Sequence, residues 1–444
     1  MPLDVLWSRL RALQFAPVLE HLAPLPLSAR DDPLFGVDDA LAADDPTAAI
    51  LRGNGASIDR LEVRWDDVEP EPGVFDFQRV DDLLATSATL GFSVLAVVDG
   101  TPAWAVDSTT VPGAGPPTGL DAAPFLADGS PNPGNPWAFF LATISNRYGS
   151  RLVGWEIWNE PNSPEFWRGA TDQYAQLLIV AHTVLSRQSP SAPVLIGGLV
   201  DDDGAFLKAL MPRLCPAAAC QAPFAAVAWH VYDNPAAVLA VAATTRSIMA
   251  PFRLSPAVWI TEANVPVDDP ESPGDAIAGP DSVTPAQQAA FVMQVYALAR
   301  VANARSVLFY RASDVDDRGH YWGLLRQDLT ARPALMAYRT AAQWLSGSRA
   351  TSLVHPLPLV TEAKLCRGNQ AEYVVWTEEP SGTTIKIPSD GRSGQLIQVD
   401  GTAIEVHASA GSFDVALPGA GGHGPAAVAL GAPVILIVPS NTGC

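Results

Sequence analysis

Between residues 34 and 347 the apolar positions alternate between two textures. Short apolar or alternating runs read as strands, and longer stretches with apolar residues three and four apart read as helices. The strand-like runs are Leu34–Val37, Ile58–Arg64, Phe92–Val98, Leu152–Trp158, Val194–Gly198, Ala225–Val231, Ala257–Thr261 and Ser306–Tyr310. Helical spacing separates several of them. Trp137, Phe140, Leu141 and Ile144 mark one helix, Thr171 starts another as its N-cap, and Thr284-Pro285-Ala286-Gln287 opens a third with a capping pattern. Eight strand–helix units predict an α/β fold, a (β/α)8 barrel. The competing open sheet usually carries a glycine-rich phosphate turn after its first strand, and none is present there. The formal match at Gly419, Gly421 and Gly424 precedes no helical pattern and reads as a turn.

After Gly347 the texture becomes short alternating runs separated by turn residues: Glu372–Thr377, Thr383–Ile387, Leu396–Val399, Ala403–Val406, Ser412–Leu417 and Val434–Val438. Such spacing predicts a small antiparallel β-sandwich. The expected division is an N-terminal extension at 1–33, the barrel at 34–347 and the sandwich at 348–444. In the extension Leu6, Leu10 and Leu13 fit one face of a short helix, and charged residues interrupt any secretory-signal pattern.

Composition narrows the partners. The 27 Lys and Arg against 47 Asp and Glu give a net charge of −20, which repels phosphate backbones and argues against nucleic acid. No apolar run is long enough to span a membrane. The 12 Trp, many near loops, suggest flat platforms for sugar rings, with ordinary core packing as the alternative. The four cysteines lack zinc-like spacing. Their even number and position at loops and ends suggest two disulfides, Cys215–Cys220 and Cys366–Cys444, and hence an oxidising, extracellular compartment.

The chemistry concentrates at two strand ends. Trp155-Glu156-Ile157-Trp158-Asn159-Glu160-Pro161-Asn162 closes the fourth strand, and Trp259-Ile260-Thr261-Glu262-Ala263-Asn264 closes the seventh. Barrel enzymes build their sites at the C-terminal ends of the strands. Two carboxylates facing each other across that rim suit glycosidic cleavage. One delivers a proton to the leaving oxygen, and the other stays ionised to meet the anomeric carbon.

These segments resemble the clan-A glycoside hydrolases, and Trp155 to Asn162 is most similar to glycoside hydrolase family 39. That family contains β-xylosidases, α-L-iduronidases and some endo-acting enzymes. Arg64-Trp65, the stretch from Glu69 to Phe77, Thr101-Pro102-Ala103-Trp104, Tyr321 to Leu325 and Arg332-Pro333-Ala334 agree in order. The resemblance implies a retaining glycosidase with Glu160 as acid/base, Glu262 as nucleophile and Asn159 on the sugar 2-hydroxyl. A carbohydrate is then the partner, and neither cofactor nor metal is implied.

Around that pair, Arg64 is the expected cation beside Glu262. Tyr232 is expected to orient Glu262, and His230 to reach Glu160 or the sugar. Trp104, Trp167, Tyr310 and Trp322 are candidate sugar contacts. Glu156, one alternation inside the strand, is expected to pair with Arg64. Asp314, Asp316 and Asp317 crowd the loop after the eighth strand and suit hydroxyl contacts better than a cation. The Pro/Gly-rich insertion at 108–136 either walls one end of the cleft or lines an open groove. A transglycosylase on the same machinery and a non-catalytic carbohydrate-binding barrel are the alternatives. The second predicts loss of Asn159 or of one carboxylate, and all three residues are present.

Overall fold

Eight strands pair in parallel in chain order and close into a barrel, β8 returning to β1. They are β1 (Phe35–Asp38), β2 (Ile58–Arg64), β3 (Ser93–Asp99), β4 (Leu152–Asn159), β5 (Val194–Leu199), β6 (Ala226–Tyr232), β7 (Ala257–Asn264) and β8 (Ser306–Phe309). The computed structural model describes residues 25, 31–40, 46–106, 110–200, 203–216, 220–272, 282–315, 317–389, 393–421 and 429–439. The predicted helix around Leu6 and Leu13 lies outside them.

Most of the strands form because their runs are largely apolar, as a sheet covered on both faces requires, whereas β2 (Ile-Asp-Arg-Leu-Glu-Val-Arg) alternates charged and apolar residues. Outward residues pack on the surrounding helices. Inside, Ile58, Leu95, Leu195, Ala226, Ala228, Trp259 and Leu308 make a separate apolar layer that plugs the barrel. Polar residues are thus displaced toward the C-terminal rim, where β4 and β7 end.

The helix Pro136–Tyr148 starts where Asn135 accepts a hydrogen bond from the Ala138 amide. The helix Pro285–Ala302 starts at Thr284, whose hydroxyl accepts from the Gln287 amide. The helix Thr171–Gln188 begins one residue earlier than expected, so Ala170 occupies the cap and Thr171 the first turn. Eight of the twelve tryptophans are buried, and five of them, Trp65, Trp137, Trp155, Trp158 and Trp229, fully so. Trp65, Trp137 and Phe140 stack behind the strand ends. The platform expectation therefore fails for these indoles, because large apolar faces gain most where helices meet the sheet.

Behind the barrel stands the antiparallel sandwich. One sheet runs β14-β13-β16-β11-β10-β9, and β12 pairs β15 opposite it. The strands are β9 (Arg349–Val354), β10 (Val360–Arg367), β11 (Gln370–Thr377), β12 (Thr383–Pro388), β13 (Ser393–Ile397), β14 (Ala403–His407), β15 (Ser412–Leu417) and β16 (Val434–Pro439). The sandwich has its own small core, including Ile387, Phe413 and Val415. Its other face, with Leu365, Val374, Trp376 and Ile437, joins the main core. The helix Pro285–Ala302 is consequently buried on nearly every side. Gln294 of that helix donates to the Gly431 carbonyl at 2.8 Å, and Gln287 to that of Gly421 at 3.1 Å.

A disulfide joins Cys215 to Cys220. Of the second suggested pair, Cys366 lies in β10, and Cys444 lies outside the described residues. Among the described residues no helix is long and apolar enough to cross a membrane.

Candidate active site

A cavity of about 540 Å³ opens at the C-terminal end of the barrel, and Asn159, Glu160, Tyr232, Glu262, Tyr310 and Trp322 all line it. Glu160 and Glu262, far apart in sequence, meet there. Glu160 follows β4, where the backbone turns left-handed at Trp158 (φ 74°) and again at Glu160 (φ 41°). Conformations of this kind in residues with side chains are strained and concentrate at functional sites. The neighbouring strand accommodates the kink with a glycine: a Cβ on Gly197 would stand 2.1 Å from the Trp158 carbonyl oxygen.

His230 and Tyr232 share one face of β6, as strand alternation requires. The His230 Nδ1 lies 2.8 Å from Glu160 Oε1 and 3.3 Å from Glu262 Oε2. A proton on Nδ1 therefore serves both carboxylates. The ring is fully buried, and its Nε2 has no hydrogen-bond partner among the described residues. It fits because Gly198 has no side chain, since a Cβ there would lie 2.0 Å from Nε2. The Tyr232 hydroxyl donates to Glu262 Oε2. Burial, then the charge of Glu262, pushes this phenol well above its ordinary range, so it stays a donor.

The cation beside Glu262 is Arg60, not Arg64. Arg60 Nη1 donates to Glu262 Oε1 at 2.7 Å and to Asp38 Oδ2 at 3.1 Å. Its Nε donates to Glu156 Oε2 at 2.8 Å, and Nη2 to Asn159 Oδ1 at 2.8 Å. Burial opposes the charge of this guanidinium, but Glu156, Asp38 and Glu262 outweigh it and raise its pKa well above normal. Glu156 is also held by the Gly198 amide (2.8 Å) and the Thr261 hydroxyl (3.0 Å). Arg60 and Arg64 point to the same side of β2, but four residues of strand separate them by about 13 Å. Only the deeper one reaches the glutamates. Arg64 sits at the rim, donating to Asp66 at 2.7 Å with Glu62 and Asp99 nearby. The expected Glu156–Arg64 pair is corrected on the same grounds.

Asn159 accepts from Arg60 through its carbonyl oxygen and lines the cavity. Tyr310 donates to Asp317 at 3.1 Å. Trp322 packs edge-on against Tyr232 and Tyr310, while Asn264 and Gln288 hold its carbonyl. Two expected platforms lie elsewhere. Trp167 is buried edge-on against Trp158, and Trp104 packs on Trp65 and donates to the Glu69 carbonyl. Of the aspartates after β8, Asp317 lines the cavity. Asp314 is neutralised by the buried Arg332, and Asp316 lies outside the described residues.

Asp38 was absent from the sequence reading. It is buried at the end of β1, and burial, only partly offset by Arg60, pushes its carboxyl well above the usual range. The signal for Arg60 was a charge every second residue in β2, at Arg60, Glu62 and Arg64, which is unusual on the inner face of a barrel. The signal for Gly198 was a Gly-Gly pair inside a strand, which marks close approach of another group.

Among the described residues, Glu160, His230 and Glu262 are the one group whose donor atoms could surround a cation, all within 4.8 Å of one another. Both oxygens of Glu262 are already engaged, by Arg60 and Tyr232. The guanidinium 2.7 Å away opposes a second positive charge. The trio is better suited to moving protons than to holding metal.

No family model matches the chain, and no curated protein matches it. Solved structures do. A family 39 glycoside hydrolase from the gut symbiont Bacteroides cellulosilyticus superposes with a TM-score of 0.70 at 19% identity, over 94% of this chain and 83% of that one. A glucosidase from Croceicoccus marinus gives 0.62 at 13% identity, covering 93% and 97%. A family 30 endoxylanase from Clostridium papyrosolvens gives 0.61 at 14%, covering 94% and 98%. The chain thus shares with glycoside hydrolases of families 39 and 30 the whole two-part architecture, barrel and trailing sandwich together.

Proposed function

We propose that this protein is a retaining glycoside hydrolase that cleaves O-glycosidic bonds of oligo- or polysaccharides by double displacement. One observation carries the reading: a carboxylate oxygen of Glu160 and one of Glu262 stand within 4.8 Å of each other and of His230 Nδ1. Retaining enzymes hold their two carboxyl groups about 5–5.5 Å apart, whereas inverting enzymes leave about 6.5–9.5 Å for a water molecule. The fold shared with known glycosidases supports the same reading.

In the first step Glu262 attacks the anomeric carbon while Glu160 gives its proton to the departing oxygen. Arg60 and Tyr232 donate to the two oxygens of Glu262 and hold its carboxylate in position. In the second step Glu160 takes a proton from water, which hydrolyses the glycosyl–Glu262 ester. His230 touches both carboxylates and stabilises whichever carries the negative charge. Asn159, which lines the cavity, is the residue we assign to the sugar 2-hydroxyl, a contact that strengthens in the transition state. The Cys215–Cys220 disulfide favours an oxidising, extracellular setting.

The test is proton NMR of the first product formed from a panel of aryl glycosides. Release of the sugar in its original anomeric configuration is expected. Inverted product rejects the mechanism, and no turnover of any aryl glycoside or polysaccharide rejects the activity.

A further inference from the structure

The loops after β4 and β8 meet above the catalytic cavity. In a closed ring of eight strands these two lie four apart, on opposite sides of the mouth. Glu165, from the first loop, forms an ion pair with Arg318 Nη2, from the second. Both residues line the cavity that contains Glu160 and Glu262.

Free surface pairs between flexible side chains contribute little, but here each partner sits on a fastened turn. On the β4 side, the Trp158 indole donates to the Phe166 carbonyl at 2.8 Å, and Trp167 packs on Trp158 at 4.9 Å. The Arg168 amide donates to the Ala114 carbonyl at 2.9 Å, so the 108–136 insertion braces this turn from behind. No described residue of that insertion lines the cavity. On the β8 side, Asp317 and His320 close a tight turn with Arg318 and Gly319 at its tip, both left-handed (φ 55° and 84°). Tyr310 ties that turn down through Asp317.

We propose that the Glu165–Arg318 bridge confines this enzyme to chain ends. This rests on the glycosidase reading above. With the bridge in place, a polysaccharide cannot lie across the barrel mouth, and a sugar reaches Glu262 only by entering end first. The anomeric carbon of that sugar belongs to the bond being cut, so its free end is the non-reducing one. The bridge thus selects exo action on non-reducing termini.

The experiment compares two matched oligosaccharides of the sugar that the aryl-glycoside panel identifies. One is unmodified, and the other carries a bulky group on its non-reducing end. Wild type is expected to release monosaccharide from the first and leave the second intact. Glu165→Ala and Arg318→Ala are expected to raise the ratio of blocked to unblocked cleavage by about tenfold or more. The charge-reversed double variant, Glu165→Arg with Arg318→Glu, is expected to restore the wild-type ratio. The ratio is taken within each variant, so a general loss of activity does not imitate the effect. Wild type cutting both substrates equally, or single variants as end-restricted as wild type, overturns the proposal. Wild type that turns over neither oligosaccharide nor any aryl glycoside defeats the glycosidase reading instead, and the proposal with it.

Discussion

Gly198→Ala adds one methyl group to β5, outside the catalytic pair, yet it should disable the site. The new Cβ would lie 2.0 Å from His230 Nε2 and 2.5 Å from Cδ2. Unstrained contacts between such atoms begin near 3.5 Å, so the ring must retreat by roughly 1.5 Å. His230 Nδ1 is now 2.8 Å from Glu160 and 3.3 Å from Glu262. A displacement of that size spoils the geometry of both contacts and with it the positions of the two carboxylates that share this donor. Misplacing a catalytic group by about 1 Å costs on the order of 100-fold in rate, and overpacking a core costs about 1–3 kcal/mol. The assays are kcat on the best aryl glycoside and thermal denaturation. The cause is checked by a cycle with His230→Ala, which removes the clashing ring. In that background Gly198→Ala should cost almost no further stability. Wild-type turnover in Gly198→Ala, or strictly additive stability losses in the cycle, would refute the reasoning.

Other expectations follow from the same geometry. Arg60→Met leaves Asp38, Glu156 and Glu262 buried without their common cation; a loss of about 3–5 kcal/mol is expected at pH 7 by thermal or denaturant unfolding, and unchanged stability would contradict the network. Burial pushes the Asp269 carboxyl up, but Arg326 and Arg332 outweigh it and hold the group below its ordinary value. Its stabilisation is therefore full above the unfolded-state pKa and lost as pH falls through the lower folded value. The stability gap between wild type and Asp269→Asn should accordingly narrow below about pH 4, and a gap independent of pH would reject this role. Truncation after residue 347 exposes the apolar face of the helix Pro285–Ala302, so the barrel alone should be insoluble or inactive, whereas a soluble and fully active fragment would show that the sandwich is dispensable.

The barrel was legible because its strands are largely apolar or alternating runs bounded by turns, and the predicted and observed limits differ by a few residues at most. The sandwich was less legible at its start. β9 reads Arg-Ala-Thr-Ser-Leu-Val and is mostly exposed, and β10 interleaves Glu362 and Lys364 with its apolar residues, so neither run stood out. Glu160, Glu262, His230 and Tyr232 could be read because they stand at strand ends in recognisable order. The guanidinium beside them could not. Sequence shows that Arg60 and Arg64 face the same way, but only strand tilt and depth decide which one reaches the glutamates. Tryptophan misled for a related reason: indoles near strand ends can face the cavity or the helices behind it, and Trp158 and Trp167 pack against the helices, on Trp137 and Tyr174. The Glu165–Arg318 contact joins loops 153 residues apart and leaves no local trace in the chain.

The central claim is that Glu262 forms the covalent intermediate, and azide rescue of Glu262→Ala tests it most directly. The variant should be inactive on the best aryl glycoside. Added sodium azide should restore turnover by entering on the face the carboxylate has vacated, giving a glycosyl azide of inverted configuration. Near-normal hydrolysis by Glu262→Ala without azide, or an azide product of retained configuration, would contradict it.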